Sequence, residues 1–181
     1  MPVTSCPFPT VINPLRVNGF KFSIAKLPEI TYFISRCEIP QISLQSVSTS
    51  SPLSDSKYPG DKIAYGSFTL EFQVDEQMMN WNMIYFWLIG LGFPEDNDQY
   101  LSWLSMERNQ LGKEMTRCVS DASLTPLSAA MGVLQEFTFV DLFPTSLQGP
   151  SFDATNSSNS IATATATFEY SYIKTSMPFP T

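Results

Sequence analysis

Histidine is absent from all 181 residues. That removes the imidazole base of Ser-His-Asp and Cys-His nucleophile systems, the paired ligands of an HExxH zinc site, and any acid–base step run by imidazole. Cysteine is nearly as scarce: Cys6, Cys37 and Cys118 form an odd set with no CxxC pair, each more than thirty positions from the next. Such spacing supplies neither a disulfide framework nor paired thiolates for zinc, and it fits synthesis in a reducing cytoplasm with thiols serving as small apolar residues. Charge is sparse too, at 15% of residues, with ten basic against seventeen acidic side chains and a formal net charge of −7. Affinity for a phosphate backbone comes largely from Lys and Arg that displace counterions, so a tight nucleic-acid surface is not expected. The longest apolar run, Met83 to Ile89, falls far short of the ~20 residues that span a bilayer, and the expectation is a soluble chain with no membrane insertion of its own.

The remaining polar residues offer little chemistry. "GLGFPED" and the other glycines match neither GxGxxG nor GxxxxGK[ST], so no phosphate cradle is expected. "PEDNDQY" gathers Glu95, Asp96 and Asp98 but lacks the glycine and distal glutamate of a calcium loop, and reads as a solvated turn after a helix. Asp75 and Glu76 are chain neighbours, so they do not face one another across a substrate as glycosidase carboxylates must; acidic residues at a helix start explain them better. No enzyme, metal or cofactor is expected.

What is present is apolar and aromatic, at 43% and 13% of residues, enough to exclude a disordered chain and to build one domain. The expected domain spans residues 17–174. The four prolines of "MPVTSCPFPTVINPLR" make residues 1–16 an extended arm, and residues 175–181 a short tail. Alternation of period two is the dominant pattern, beginning with "GFKFSIAK", which puts Phe20, Phe22 and Ile24 on one face. "EITYFISRCEIPQISL" reads as one or two strands interrupted at Pro40. Residues 46–60, "SVSTSSPLSDSKYPG", read as a long polar loop of the kind that carries function or is ordered by a partner. "EQMMNWNMIYFWLIGLG" is the expected helix, about 76–90, with Asp75 as its N-cap and Met78, Trp81, Tyr85 and Leu88 as its core stripe. Residues 94–114 look like an insertion with weak helical character; "MTRCVSDASLTPL" and "VLQEFTFVDLFP" are further strands, the second ending at Pro144.

Two strands stand apart. In "SFTLEFQVD", Ser67, Thr69, Glu71 and Gln73 share one face and Phe68, Leu70, Phe72 and Val74 the other. In "IATATATFEYSY", Thr163, Thr165, Thr167, Glu169 and Ser171 oppose Ala162, Ala164, Ala166, Phe168, Tyr170 and Tyr172. From Ile161 to Ile173 this strand would span roughly 40 Å, well beyond the usual five or six residues. One explanation is a sheet with one face in water and one on the core. The other is a shared barrel whose polar faces line a water-filled channel, where neutral-to-acidic side chains let a polyanion pass without sticking.

"FTLEFQVDEQMMNWNMIYFWLIG", "LFPTSLQGPSFDATNSSNSIATATATFEYSY" and "FSIAKLPEITYFISRCEIPQISL" together resemble the tail-tube family of contractile-tailed bacteriophages and related injection machines, over most of residues 17–174. The resemblance implies a mainly β (α+β) fold of two packed antiparallel sheets, a tail-tube-type sandwich or barrel, with one main flanking helix. It also implies homohexameric rings stacked on adjacent tube, baseplate or neck rings, with the sheath as a further partner and passing double-stranded DNA as a transient, non-specific one. The location implied is the virion tail after synthesis in the host cytoplasm. On this reading the lumen-facing residues are Ser67, Thr69, Glu71, Gln73, Thr163, Thr165, Thr167, Glu169 and Ser171. The 46–60 loop, through Ser50, Pro52, Leu53, Lys57 and Tyr58, reaches a neighbouring subunit or ring. The proline-rich arm and the 94–114 segment exceed what a minimal repeating unit needs, which raises a specialised ring: a tube initiator or a tail-completion ring. A separate class of reading is an isolated β-sandwich that binds carbohydrate through Trp103, Tyr58 and Tyr65.

Overall fold

The segments Phe68–Gln73 and Thr163–Glu169, whose alternation is the plainest in the sequence, lie side by side as antiparallel strands in the computed structural model, which describes residues 15, 19–50, 53–92, 98, 101, 119–152 and 161–177. In chain order the strands are β1 (Phe20–Ile24), β2 (Ile34–Cys37), β3 (Ile42–Ser50), β4 (Asp55–Tyr65), β5 (Phe68–Gln73), β6 (Ser120–Pro126), β7 (Phe137–Gln148), β8 (Thr163–Glu169) and β9 (Tyr172–Thr175). Helix α1 (Met79–Gly92) follows β5, and a 3-10 turn over Pro28–Phe33 leads into β2. The main sheet runs β1-β6-β7-β8-β5-β2, with β9 also on β7, while among the described residues β3 and β4 pair only with each other.

Strand β7 serves two layers. Phe137–Val140 lies between β6 and β9, and Phe143–Gln148 pairs with β8. Between them Asp141 adopts a left-handed φ of 56°, a conformation that aspartate tolerates better than most residues, and the ladder shifts register there. Its N–H donates to Asp121 Oδ1 at 3.2 Å, and its Oδ2 accepts from Ser171 Oγ at 3.3 Å, so the corner is pinned from both neighbouring strands. The curled sheet therefore forms two antiparallel layers, one of β1, β6, β9 and the first half of β7, the other of β2, β5, β8 and the second half of β7. This is the mainly β fold with one flanking helix that the sequence led us to expect.

Between the layers, Phe22 stacks on Phe68 at 5.0 Å, Phe68 meets Phe139 at 4.8 Å, and Trp87 of α1 lies 6.3 Å from Phe168. Phe22, Ile24, Phe68, Leu70, Phe72, Phe139, Leu142 and Phe168 are all buried, each contributing roughly 1.5–3 kcal/mol by leaving water. The alanines of β8 fit beside these: Ala164 sits opposite Phe72 and Ala166 opposite Leu70, both buried, so bulk is supplied by the partner strand.

Several expectations need correction. Residues 46–60 are mostly not a loop: they belong to the β3–β4 hairpin, in which Val47 pairs with Tyr58 and Ser46 with Pro59. Helix α1 starts at Met79 rather than residue 76, because Met78 takes a left-handed φ of 55° and the preceding residues form a turn. Asp75 still caps it from a distance, accepting the Asn80 N–H at 3.4 Å while its own N–H donates to Asn80 Oδ1. The buried side of α1 is Asn80, Ile84, Trp87 and Gly90; of the expected stripe Trp81 packs partly buried against the core while Tyr85 is exposed, and because this helix is apolar on every side, periodicity alone does not select the core side. Strand β7 runs past Pro144, which stands opposite Phe168 next to a register shift, on a half-strand that among the described residues pairs on one side, where proline is tolerated. The final strand breaks at Tyr170–Ser171 opposite Asp141, and its alternation slips: Ile173 packs toward the core and Tyr172 is exposed. Thr175 pairs with Phe137, and Ser176 is hydrogen-bonded to Glu136, so the expected tail begins as ordered strand. Residues 1–14 and most of 94–114 lie outside the described residues.

Candidate functional site

The polar halves of β5 and β8 meet in register. Thr69 stands opposite Thr167, Glu71 opposite Thr165, and Gln73 opposite Thr163, so six of the nine singled-out residues meet on this face, with Ser67 just before β5 and Glu169 at the end of β8. Thr69, Gln73, Thr163 and Glu169 are exposed, while Glu71, Thr165 and Thr167 are half-buried between their neighbours. Ser171 differs: it lies in the strand break and bonds the corner carboxylate of Asp141.

Two strands extend the face beyond what the sequence reading assigned. On one side, Ser146 pairs with Thr167 and Gln148 with Thr165, while Leu147 between them packs against the core; Thr145 Oγ1 also donates to the Thr167 carbonyl at 3.2 Å. On the other side, Arg36 pairs with Glu71, Ser35 Oγ donates to the Glu71 carbonyl at 3.1 Å, and Cys37 turns inward opposite Leu70. The signal for the first extension is the alternation of "TSLQ", which a strand boundary placed at Pro144 cuts off. Arg36 is tied to Glu38, whose hydrogen bond and charge hold the guanidinium above its ordinary pKa. The result is a four-stranded surface of hydroxyls and amides with few charges, in the order β7-β8-β5-β2. Among the described residues, its two outer strands, β2 and the second half of β7, have no strand partner on their far sides.

Burial raises the Cys37 thiol from 9.0 to about 11, with the Glu38 charge adding to it. No group of three or more histidine, cysteine or acidic side chains is placed to hold a metal ion among the described residues.

The β3–β4 hairpin is the second feature. Both strands are exposed almost throughout, and among the described residues the hairpin meets the body near its base, where Gly66 bonds Gln41 and Tyr65 lies on Tyr170. Ile42 with Tyr65 and Leu44 with Ile63 form cross-strand pairs, followed by Val47 with Tyr58 beyond a bulge. Gly60 is required there, because a Cβ would lie 2.5 Å from the Gln45 carbonyl oxygen. Ile42, Leu44, Val47, Tyr58 and Ile63 are each more than half exposed. An isolated two-stranded hairpin is marginal in water, and exposed apolar surface of this kind marks a contact region. Of the residues expected to reach a neighbour, Ser50, Lys57 and Tyr58 lie on the hairpin, Leu53 is fully exposed at its tip, and Pro52 lies outside the described residues. Of the proposed sugar contacts, Tyr65 is instead half-buried against Tyr170, and Trp103 lies outside the described residues.

Among the described residues, no helix is long and apolar enough to cross a membrane. No protein-family model matches the sequence, and no curated protein matches it. Solved structures do. The cap that terminates the anti-feeding prophage tube is 20% identical, covers 98% of this chain and 100% of its own, and superimposes with a TM-score of 0.60. A chain of the sheath–tube complex of an extracellular contractile injection system, in its extended state, is 22% identical over 91% of this chain and 93% of its own, with a TM-score of 0.57. A chain of the sheath/tube terminator of that system is 22% identical over 92% and 99%, with a TM-score of 0.58. The fold of this chain is thus the one used by tube and tube-terminating proteins of contractile injection systems.

Proposed function

We propose that the chain is a non-enzymatic structural ring subunit in the tube of a contractile tail or injection machine. The observation that carries this reading is the four-stranded polar face bounded by two unpaired edges. Copies joined edge to edge, β2 of one against β7 of the next, close the sheet into a barrel and remove exposed edges that would otherwise template aggregation. Six copies per ring is the number implied by the family resemblance. The polar face then lines the lumen, with Thr69, Glu71, Gln73, Thr163, Thr165, Thr167 and Glu169 joined by Ser146 and Gln148. Hydroxyls and amides bind neither DNA nor a protein cargo strongly, which suits a conduit. The hairpin reaches a neighbouring subunit or ring and covers Leu44, Val47, Tyr58 and Ile63 there.

A terminating or completing ring is the second form of this reading. Coverage of 98% of this chain and 100% of the prophage cap favours it. Electron microscopy of the purified protein, with mass determination across concentration, separates the two. Extended hollow tubes identify the repeating subunit, and discrete rings identify a terminating one. A monodisperse monomer that also forms no ring with its natural neighbours overturns the proposal.

A further inference from the structure

The hairpin leaves the body through a narrow base. Gln41 and Gly66 bracket it, joined by a Gly66 N–H to Gln41 carbonyl bond of 2.8 Å, and Pro40 beside them is buried. Beyond that backbone bond, the described residues show an aromatic contact between hairpin and body. The Tyr65 ring, at the end of β4, lies 5.8 Å from Tyr170 at an interplanar angle of 57°. Tyr170 meets Phe139 edge-on at 5.1 Å, and Phe139 packs on Phe68 in the core. Tyr170 also occupies the break between β8 and β9, opposite the left-handed Asp141 where β7 passes from one layer to the other.

We infer that Tyr65 and Tyr170 form an elbow that sets the angle of the hairpin relative to the two-layer corner. A hairpin held by one backbone bond alone pivots about it, since rotation there breaks no other contact. A ring wedged against a ring that is itself seated on the core resists that pivot, because interiors are close-packed and do not deform continuously. The hydroxyl is not what holds it: Tyr170 Oη is buried with no hydrogen-bond partner among the described residues, so the restraint is ring contact. The elbow itself stands without the ring-subunit reading; only its use, aiming the hairpin at a neighbouring copy, rests on that reading.

Distance measurement between two spin labels tests this on the isolated full chain. Labels at Ser56→Cys near the hairpin tip and Lys21→Cys on exposed β1 are introduced with the native cysteines replaced by alanine, and the labelled protein is diluted into excess unlabelled protein so that only intramolecular distances are read. The parent gives a single narrow distribution. Tyr65→Ala loses that peak to a broad one while the circular dichroism of the body is retained, and Tyr65→Phe keeps the peak because the ring remains. An unchanged distribution in Tyr65→Ala overturns the elbow, and broadening in Tyr65→Phe equal to that in Tyr65→Ala overturns the ring-contact account. Distances are read on the monomeric fraction, where no neighbouring copy can hold the hairpin, so failure of the elbow and failure of the ring-subunit reading are told apart.

Discussion

Tyr170 and Cys37 are acids that the fold keeps neutral. Burial, with Tyr65 alongside, pushes the Tyr170 phenol from 10.0 to about 12, and burial pushes the Cys37 thiol from 9.0 to about 11. Below the lower of each pair of values the group is protonated in folded and unfolded chains alike, and pH has no effect through it. Above that value the unfolded chain ionises first, so stability falls as pH rises until the folded group ionises too. The expected outcome is a denaturant midpoint that is flat through neutral pH and declines from about 9 toward about 12. Tyr170→Phe removes the upper part of that decline. At neutral pH the same substitution leaves stability unchanged or raises it by up to about 1 kcal/mol, because it deletes a buried hydroxyl that has no partner among the described residues and keeps the ring. A loss of 2 kcal/mol or more, on the order of a broken buried bond, would mean that the hydroxyl is satisfied after all. Cys37 is correspondingly slow to alkylate at neutral pH, since the thiolate is the reactive species.

At the scale of the element, β8 shows why one strand carries alanine where its partners carry phenylalanine. Ala166 is fully buried between Leu70 on β5 and Leu147 on β7. Enlarging it to leucine overpacks the layer and is expected to cost about 1–3 kcal/mol. Thr167→Val, one residue along on the polar face, is expected to stay within ~0.5 kcal/mol. Chemical denaturation of the two variants measures the contrast, and equal effects would mean that the two faces are not distinguished by packing. The same strand explains what was legible in the sequence. A strand with one face buried must alternate, so β1, β5 and β8 declared both their existence and their facing, whereas their pairing did not follow from the matched polar rows alone. The hairpin did not declare itself, because neither face of β3 or β4 is buried and no alternation is enforced; serine, proline and aspartate there read as loop. The buried side of α1 was hidden by apolar residues on every side, and the slip at Tyr172 by a bend whose cause, Asp141, is one aspartate among many in the chain. Arg36 and Ser146 were missed for a related reason, since each sits beside a ladder irregularity that local patterning cannot register.

For the whole molecule, the division of labour between body and hairpin is the feature with the most direct consequence. The body holds the buried aromatic residues and the shared β7 corner, whereas the hairpin buries no side chain of β3 or β4 fully. Stability therefore resides in the body, and the hairpin's exposed Ile42, Leu44, Val47, Tyr58 and Ile63 gain their burial only against something else. Because Ile42 and Tyr65 are paired across the base of the hairpin, residues 43–64 can be replaced by a short glycine turn that leaves the Tyr65–Tyr170 contact in place. The shortened chain is expected to keep its denaturation midpoint to within ~0.5 kcal/mol, the range typical of changes away from a core. Its assembly, followed by mass determination and electron microscopy beside the intact chain, is expected to be lost. A fall of several kcal/mol would show that the hairpin is part of the body's cooperative unit rather than an arm upon it. Rings or tubes that form as readily without it would leave the β2 and β7 edges as the sole subunit contact and remove the hairpin from the assembly.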